Sequence, residues 1–510
     1  SLRANTTGDG NTVVGKDSML VNTTGGGNVA VGIESLKANT TANYNTAVGL
    51  SAMIANTTGT RNIAVGAASL DANTTGSHHV AIGYAALTSN TTASYNIAIG
   101  DSAMGSTTTG SPNIAIGQDA LGTNTTGAYN VGIGYNALKL NTAGTNTAVG
   151  YAVGEDITTG AGNTGLGYYA MGNTTTGANN TALGYTALYT NTTASYGTAV
   201  GYNVLAANTT GTQNTATGWS ALQANTTGSY NVAVGSSALY TNTTASNNTA
   251  VGRDALNLNT TGGSNTAIGT SALEKNTTAS SNVAVGSATL ANATTAAENT
   301  CVGKDAANGI TTGPSNSILG YRSGEYGTAL ATGTGNTLLG AYSRTTATDS
   351  SFANVIGYDV GGLAGYTTLG AGSQDIRTQN GSTSWATVSD ERVKKDIEDS
   401  TVGLNFINDL RPVTFNYRNK GDLPTEFKGY EEDSTEVYKS EKSQHGFIAQ
   451  EVKAAIDKHS DIKNGFSMWD NDDETGQQRV GETALIPMLT KAVQELSAKV
   501  EELESKLNGE

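Results

Sequence analysis

The sequence predicts a mostly β protein in which an elongated stack of repeated coils is followed by a small α+β domain. Three observations predict this fold class. A 17-residue period runs through residues 5–320, glycine holds one position of every unit, and charged residues are concentrated toward the C-terminal end. Only 37% of the 510 residues are hydrophobic and 65 are glycine, which argues against one large globular core.

The repeated unit can be written N-T-T-G-x-x-N-T-A-V-G-x-x-A-L-x-x. One residue is missing from the turn at 141–146, where a loop absorbs the loss more easily than a strand does. The 19 units of this shaft, residues 1–320, begin at Asn5, Asn22, Asn39, Asn56, Asn73, Asn90, Thr107, Asn124, Asn141, Ile157, Thr174, Asn191, Asn208, Asn225, Asn242, Asn259, Asn276, Ala293 and Ile310.

Each unit predicts two short strands joined by two turns. The piece N-T-A-V, as in 45–48, alternates its side chains between two faces, and x-A-L, as in 220–222, supplies a second apolar contact. N-T-T-G has the composition of a turn. The glycine after the first strand, such as Gly49, predicts a backbone angle open only to glycine or a close approach between chains.

A coil of this size offers few apolar side chains. We therefore expect the coils to stack on each other and on other chains, in a rod of roughly 90 Å at the usual strand spacing. N-T-A-V-G followed by x-x-A resembles the N-S-V-A-I-G repeats in the head of trimeric autotransporter adhesins. The resemblance covers residues 5–320 and implies a parallel β-roll in which three chains pack side by side.

The repeated asparagines and aromatic residues each allow two interpretations. Asn22, Asn39 and Asn56 are expected to stack as amide ladders, with glycosylation of the N-T-T triplets as the alternative. Aromatic rows are expected to pack between coils, with sugar binding by stacking as the alternative. They comprise Tyr84, Tyr135, Tyr151, Tyr168, Tyr185, Tyr202 and Trp219 after the glycine, and Tyr44, Tyr95, Tyr129, Tyr196 and Tyr230 in the turn.

Composition excludes several classes of function. The net charge of −15 disfavours nucleic acid as a partner, and no stretch of about 20 apolar residues predicts a membrane span. Cys301, the only cysteine, is expected to be a small buried residue, so no disulfide or thiolate metal cluster is predicted. The acidic segment 470–474 lacks EF-hand spacing and predicts a solvated turn; no metal or cofactor is expected.

The two ends of the repeat region raise separate expectations. The chain begins at Ser1 without a methionine or a signal-like segment, so we expect an anchoring region to precede it. Residues 321–388 keep pieces of the repeat, such as N-T-L-L-G, at irregular spacing. This transition predicts either a tip whose loops carry recognition or a degenerate cap that ends the solenoid.

Residues 389–510 differ from the shaft in composition. They hold 42 of the 69 Asp, Glu, Lys and Arg side chains. The last part, 486–507, has a 3.5-residue apolar period that predicts a coiled coil of two or three strands. Its apolar positions are Ile486, Leu489, Val493, Leu496, Val500, Leu503 and Leu507.

Four motifs of this segment carry a second resemblance. S-D-E-R-V-K-K-D-I (389–397), L-N-F-I-N-D-L-R-P-V-T-F-N-Y (404–417), H-G-F-I-A-Q-E-V (445–452) and the terminal coiled coil follow in order. Together they resemble the intramolecular chaperone auto-processing domain of phage tail spikes and fibres, the endosialidase-type peptidase S74 family. The resemblance implies that three copies trimerise, template the folding of the upstream fibre, and are released by a cut before the serine.

The resemblance also implies residue roles. The nucleophile falls on Ser389, the base on Lys394 and the cleaved bond between Val388 and Ser389. A serine hydroxyl attacks well only after a base removes its proton, and lysine does this only when neutral, which burial in an assembled trimer favours. Asp390 orients the pair or, more in keeping with its position, caps the following helix. His445 is expected to support the fold.

The leading hypothesis is a homotrimeric phage tail fibre, made in the host cytoplasm and carried on the virion. Its expected partners are its own copies, other tail proteins and a glycan or protein receptor on a bacterial surface. The only predicted chemistry is single-turnover self-cleavage. One alternative is a trimeric adhesin on a bacterial surface, which needs a secretion signal and a membrane anchor. Another is a polysaccharide-degrading spike, although the 16 acidic residues in 1–388 form no obvious catalytic pair.

Overall fold

The chain divides into two compact units, Ser1–Val388 and Ser389–Glu510. The computed structural model describes residues 2–387, 389, 391–427, 429–463, 466, 468–471 and 478–509. No helix in these ranges is both long enough and apolar enough to cross a membrane.

The first unit is a parallel β-solenoid, which confirms the predicted fold class. Each repeat contributes one short strand, and residue i pairs with residue i+17 of the next coil, as Thr46 does with Ile63. Where the repeat lacks a residue the offset falls to 16, as between Val131 and Thr147, so the strands stay in register and the turn absorbs the loss.

The strands of this unit fall into one long sheet and a small pair, β21 with β23. In chain order they are β1 Thr12–Val14, β2 Val29–Val31, β3 Thr46–Val48, β4 Ile63–Val65, β5 Val80–Ile82, β6 Ile97–Ile99, β7 Asn113–Ile116, β8 Asn130–Ile133, β9 Thr147–Val149, β10 Thr164–Leu166, β11 Thr181–Leu183, β12 Thr198–Val200, β13 Thr215–Thr217, β14 Val232–Val234, β15 Thr249–Val251, β16 Thr266–Ile268, β17 Val283–Val285, β18 Thr300–Val302, β19 Ser317–Leu319, β20 Thr337–Leu339, β21 Arg344–Thr345, β22 Asn354–Tyr358, β23 Gly361–Gly362, β24 Tyr366–Ala371, β25 Gln374–Gln379 and β26 Ala386–Thr387.

The prediction of a second strand in each coil is wrong. In the x-A-L segment the first and third residues, such as Ser220 and Leu222, have φ values of 53° and 52°. This left-handed conformation interrupts an extended strand. The segment still bonds to both neighbouring coils, because the Ser220 amide donates to the Tyr202 carbonyl and the Leu222 amide to the Ala238 carbonyl, each at 2.9 Å.

The interior of the solenoid is closed within one chain. The middle residue of the strands, usually alanine as at Ala233, faces inward and is fully buried with the alanine and leucine of x-A-L, such as Ala221 and Leu222. The expectation that the thin coils need other chains to bury this interior is therefore wrong. Stacking of coils along the axis removes the small apolar side chains from water without a partner chain.

The repeat glycine satisfies a conformational and a steric requirement together. Gly235 has a φ of 134°, and a Cβ added to it would lie 2.6 Å from the carbonyl oxygen of Gly252 in the next coil. The positive φ and the short distance each exclude a residue with a Cβ atom at this position. The predicted close approach is therefore between successive coils of one chain rather than between chains.

The amide ladder predicted at Asn22, Asn39 and Asn56 is confirmed. Asn39 donates its Nδ2 to Asn22 Oδ1 at 2.9 Å, and Asn56 donates to Asn39 at 3.2 Å. All three side chains are fully buried. Because the amide nitrogens are bonded inside the solenoid, the glycosylation alternative is wrong at these positions.

The ladder stops where a unit lacks the asparagine. Asn90 is followed by Thr107 and Asn276 by Ala293 in the next coils. The Oδ1 atoms of Asn90 and Asn276 are buried and accept no hydrogen bond from the described residues. An unpaired buried acceptor costs free energy, so these are weak points of the stack.

A second ladder lies at the asparagine that begins N-T-A-V, which the sequence analysis did not predict. The backbone amide of Asn62 donates to Asn45 Oδ1 at 2.9 Å, while Asn45 Nδ2 donates to the Gly59 carbonyl at 2.8 Å. Each asparagine therefore joins its own coil to both neighbours in the stack. Its side chain bonds to the next coil, and its backbone amide donates to the preceding one, as the Asn45 backbone amide does to Asn28 Oδ1 at 2.9 Å.

Five of the seven aromatic residues after the repeat glycine pack between coils, as expected, whereas Tyr84 and Trp219 are 63% and 55% exposed and stack on no ring of the described residues. Neighbouring rings stack with centroids 5.1 to 5.2 Å apart and interplanar angles of 5° to 14°. The stacked rings are Tyr135, Tyr151, Tyr168, Tyr185 and Tyr202. The tyrosines in the turn, in contrast, are largely exposed. Among them, Tyr95 stacks on the His78 ring, with the ring centroids 4.9 Å apart.

Parallel stacking continues beyond residue 320 and ends in an antiparallel hairpin. Strands β20, β22 and β24 follow β19 in parallel, although the spacing between them varies. Strand β25 then pairs with β24 in the antiparallel sense, and β26 with β25. The hairpin ends the succession of coils, as a cap does.

The second unit is a small α+β domain, as predicted. It contains helices α1 Leu404–Asp409, α2 Ala449–Lys458 and α3 Ile486–Asn508, strands β27 Val413–Phe415, β28 Gln444–Gly446, β29 Trp469–Asn471 and β30 Gln478–Val480, and 3-10 turns at Glu391–Val393, Lys420–Asp422 and Glu482–Leu485. The strands form two antiparallel pairs, β27 with β28 and β29 with β30. Phe406, Val452, Ile456 and Met468 form its buried centre.

Helix α3 coincides with the predicted coiled-coil segment. It has a proline in its first turn and ends before Gly509, whose φ is 79°. The seven apolar side chains of the 3.5-residue period are all exposed, from 45% at Leu489 and Val500 to 86% at Leu507. Helix α3 therefore carries an apolar stripe that is exposed within the described part of the chain, to which we refer as the α3 stripe.

Two smaller expectations concern Cys301 and the acidic segment. Cys301 is fully buried, as predicted, and burial raises the pKa of its thiol. Asp470 and Asn471 are exposed but end strand β29 rather than lying in a turn. Asp472, Asp473 and Glu474 lie outside the described residues.

His79 occupies an asparagine position of the second ladder. Its Nδ1 accepts the backbone amide of Asn96 at 3.2 Å, and its Nε2 lies 2.6 Å from the Ala93 carbonyl oxygen. The ring is almost completely buried. Burial is the main reason that the pKa of His79 is lowered to about 4.

We expect His79→Asn to make the shaft less sensitive to acid. As pH falls from 6.5 toward 4, His79 becomes protonated in the unfolded chain but stays neutral in the folded one. This difference lowers the unfolding free energy of the wild type by up to about 3 kcal/mol. Asparagine does not titrate and fits between Asn62 and Asn96. Thermal unfolding of both proteins at pH 7 and pH 4 measures the difference. An equal loss of stability in both proteins would contradict it.

Candidate active site

Ser389 and Lys394 are brought together by a short turn. The 3-10 turn Glu391–Val393 follows the serine, and the Lys394 backbone amide donates to the Glu391 carbonyl at 3.0 Å. This turn directs the lysine side chain back along the chain. Lys394 Nζ donates a hydrogen bond to Ser389 Oγ at 2.7 Å.

The pair has the geometry needed for proton transfer from the hydroxyl to the amine. A base within hydrogen-bond distance of a serine converts a weak nucleophile into an effective one. Both residues are exposed in the single chain. Water stabilises a charged ammonium group, which donates a proton and cannot accept one.

Two apolar side chains flank the lysine on the exposed segment. Val393 is 68% and Ile397 is 61% exposed. Neighbouring apolar side chains that face water often mark a surface used in assembly.

His445 lies in a different environment from the pair. It is on β28, opposite Thr414 of β27, and its Nδ1 is 3.1 Å from Thr414 Oγ1. It also lines a cavity of about 800 Å³ together with Phe415 and Tyr417. The His445 side chain is nevertheless exposed, so the supporting role predicted for it stays a prediction. Val388 and Asp390 lie outside the described residues, so the roles predicted for them stay predictions.

Two contacts within this domain were not predicted from the sequence. Arg411, in the second motif, forms an ion pair with Glu451, in the third. Glu495 Oε2 of α3 accepts the backbone amide of Leu404, at the start of α1, at 2.9 Å. Both contacts join segments far apart in sequence, and the charges of Arg411, Glu451 and Glu495 were the only signal available.

One comparison with known proteins finds a match. Residues 389–461 match the model of the peptidase S74 family, described as chaperone of endosialidase. Neither a curated protein nor a solved structure matches the chain. The matched segment begins at Ser389 and includes Lys394 and His445, whereas the solenoid and α3 lie outside it.

The family implies a self-cleaving chaperone domain. Its position after a solenoid of 17-residue coils fits the predicted resemblance of the chain to phage tail fibres and tail spikes. Residues 389–461 are therefore the part of the chain that the match identifies as a chaperone-of-endosialidase segment.

Proposed function

We propose that the chain is a homotrimeric bacteriophage tail fibre whose C-terminal domain directs assembly and is then removed by self-cleavage before Ser389. The observation that carries the proposal is the hydrogen bond from Lys394 to Ser389 at the first residue of the matched segment. The shaft then remains on the virion, attached to other tail proteins, and contacts a bacterial surface.

The cleavage follows from the position of the serine. Ser389 Oγ attacks the carbonyl carbon of Val388 while Lys394 Nζ takes the hydroxyl proton. The C–N bond then breaks, the amine of Ser389 receives that proton, and an ester joins the two parts. Water hydrolyses the ester, which leaves a carboxylate on Val388 and restores the serine hydroxyl.

Assembly controls this reaction through the state of Lys394. In the single chain the lysine is exposed beside Val393 and Ile397. When a trimer covers these apolar side chains, loss of water disfavours the charged amine and leaves a neutral base. Cleavage therefore follows assembly and does not release an unassembled chain.

Two exposed apolar surfaces support a trimer. The first is the α3 stripe, whose 3.5-residue period is that of a coiled coil. The second runs along the shaft, where the outward residue that ends each strand is usually Val, Ile or Leu, as at Val65, Ile82 and Leu166. Three shafts that pack on this column remove it from water, while each keeps its own closed interior.

The self-cleavage proposal predicts a difference between the wild type and Ser389→Ala. The wild type should give two fragments, residues 1–388 and 389–510, because the hydroxyl starts the reaction. The variant should remain whole, because alanine has no nucleophile. Denaturing gels with and without boiling measure both the cut and the trimer. Two uncut proteins that run as monomers without boiling would contradict cleavage and trimerisation together.

The role of the base is tested at two adjacent lysines. Lys394→Met should abolish cleavage, because methionine keeps the length of the side chain and cannot take a proton. Lys395→Met is the matched control and should cleave as the wild type does, since Lys395 is also exposed. Time courses of fragment formation compare them. Normal cleavage by Lys394→Met would rule out the lysine as the base.

The α3 stripe is tested by placing charges on it. The double variant Val493→Asp, Val500→Asp should be a monomer and remain uncut, because buried unpaired carboxylates oppose a coiled coil. Gln494→Asp, Ala498→Asp adds the same charge on exposed positions beside the stripe and should behave as the wild type. Light scattering measures the mass of the assembly, and denaturing gels measure the extent of cleavage. A cleaved trimer from the first variant would remove the stripe from the proposal.

A further inference from the structure

A group of four tyrosines in the irregular coils differs from the stacked row of the shaft. Tyr321 and Tyr358 directly follow the repeat glycines Gly320 and Gly357, whereas Ala341 follows the glycine between them. In the shaft, successive rings cover each other's faces. Here the alanine leaves a gap in the column, so the ring faces on either side are not covered by a stacked neighbour.

The ring of Tyr342 stands at the centre of this group. It makes edge contacts with Tyr321, Tyr326 and Tyr358 at centroid distances of 5.3, 4.8 and 5.7 Å. Edge contacts fix the rings at steep angles to each other. They leave an open cavity of about 220 Å³, lined by Arg322, Tyr326, Tyr342, Tyr358 and Asp359.

The charged groups around the cavity are held and balanced. Arg322 makes two hydrogen bonds to Glu325, at 2.7 and 3.3 Å, and Arg344 forms an ion pair with Asp359. Both guanidinium groups also lie over the Tyr326 ring, at 5.3 and 5.8 Å. The cavity therefore presents fixed planar donors and acceptors without excess charge, which suits a neutral ligand with hydroxyl groups.

We propose that this cavity binds one neutral pyranose unit of a bacterial surface glycan. The C–H face of the sugar packs on the Tyr358 ring, whose face is electron-rich, while Arg322 and Asp359 bond its hydroxyls. The volume is below the range of about 300 to 1,000 Å³ that drug-sized ligands occupy, so a single sugar unit fits and the rest of the glycan extends into solvent. This assignment rests on the proposed attachment function and names its ligand.

The test uses the full chain and methyl glycosides of glucose, galactose, mannose and N-acetylglucosamine. Saturation-transfer NMR should show transfer to at least one glycoside, strongest at the protons of one ring face. Tyr358→Ala should weaken this binding by about tenfold, because the stacking surface is lost. Tyr358→Phe keeps the aromatic ring and should bind the glycoside as the wild type does. Tyr230→Ala, which removes an exposed tyrosine elsewhere in the shaft, is the matched control.

Two results would overturn the assignment. One is the absence of transfer from the wild-type protein to every glycoside, the result expected if the receptor is a protein. The other is equal transfer in Tyr358→Ala and Tyr230→Ala. Melting temperatures confirm that each variant is folded. The trimer and the cut are measured separately on the same proteins, so failure of sugar binding is distinguishable from failure of the fibre proposal.

Discussion

The shaft depends on hydrogen bonds that run along its axis and join each coil to the next. The parallel ladder of the strands is one set, and the buried asparagine side chains add two more. A buried amide is stabilising only when its donors and acceptors are paired, and the 17-residue period supplies the same partner in the next coil. The asparagines that identify the repeat in the sequence are therefore also the residues that hold it in register.

Periodicity made most of the fold predictable, because a repeated pattern reveals its own register. The strand, the glycine and the ladder at Asn22, Asn39 and Asn56 could all be predicted from it. The x-A-L segment was misread because alternating left-handed residues such as Ser220 and Leu222 produce the same apolar spacing as a strand. The closed interior was missed because small alanines fill a narrow coil more completely than a count of apolar residues suggests.

The candidate site was predictable in its residues but not in its environment. Ser389 and Lys394 are five positions apart, and only a tight turn brings their side chains to 2.7 Å. The family resemblance, rather than the spacing, selected them. Sequence motifs gave no indication that Val393 and Ile397 are exposed beside the lysine. In the proposed function, that exposure is the physical reason why cleavage waits for assembly.

The 17-residue offset shared by most strands of the shaft makes these coils interchangeable. Deleting or duplicating a whole unit leaves every remaining strand with an equivalent neighbour, whereas the loss of a residue from within a strand shifts the register and turns side chains to the wrong face. Unequal recombination between similar repeats can therefore change the reach of the rod in steps of about 4.8 Å while both ends keep their structures. Length can then evolve separately from the structures of the two ends.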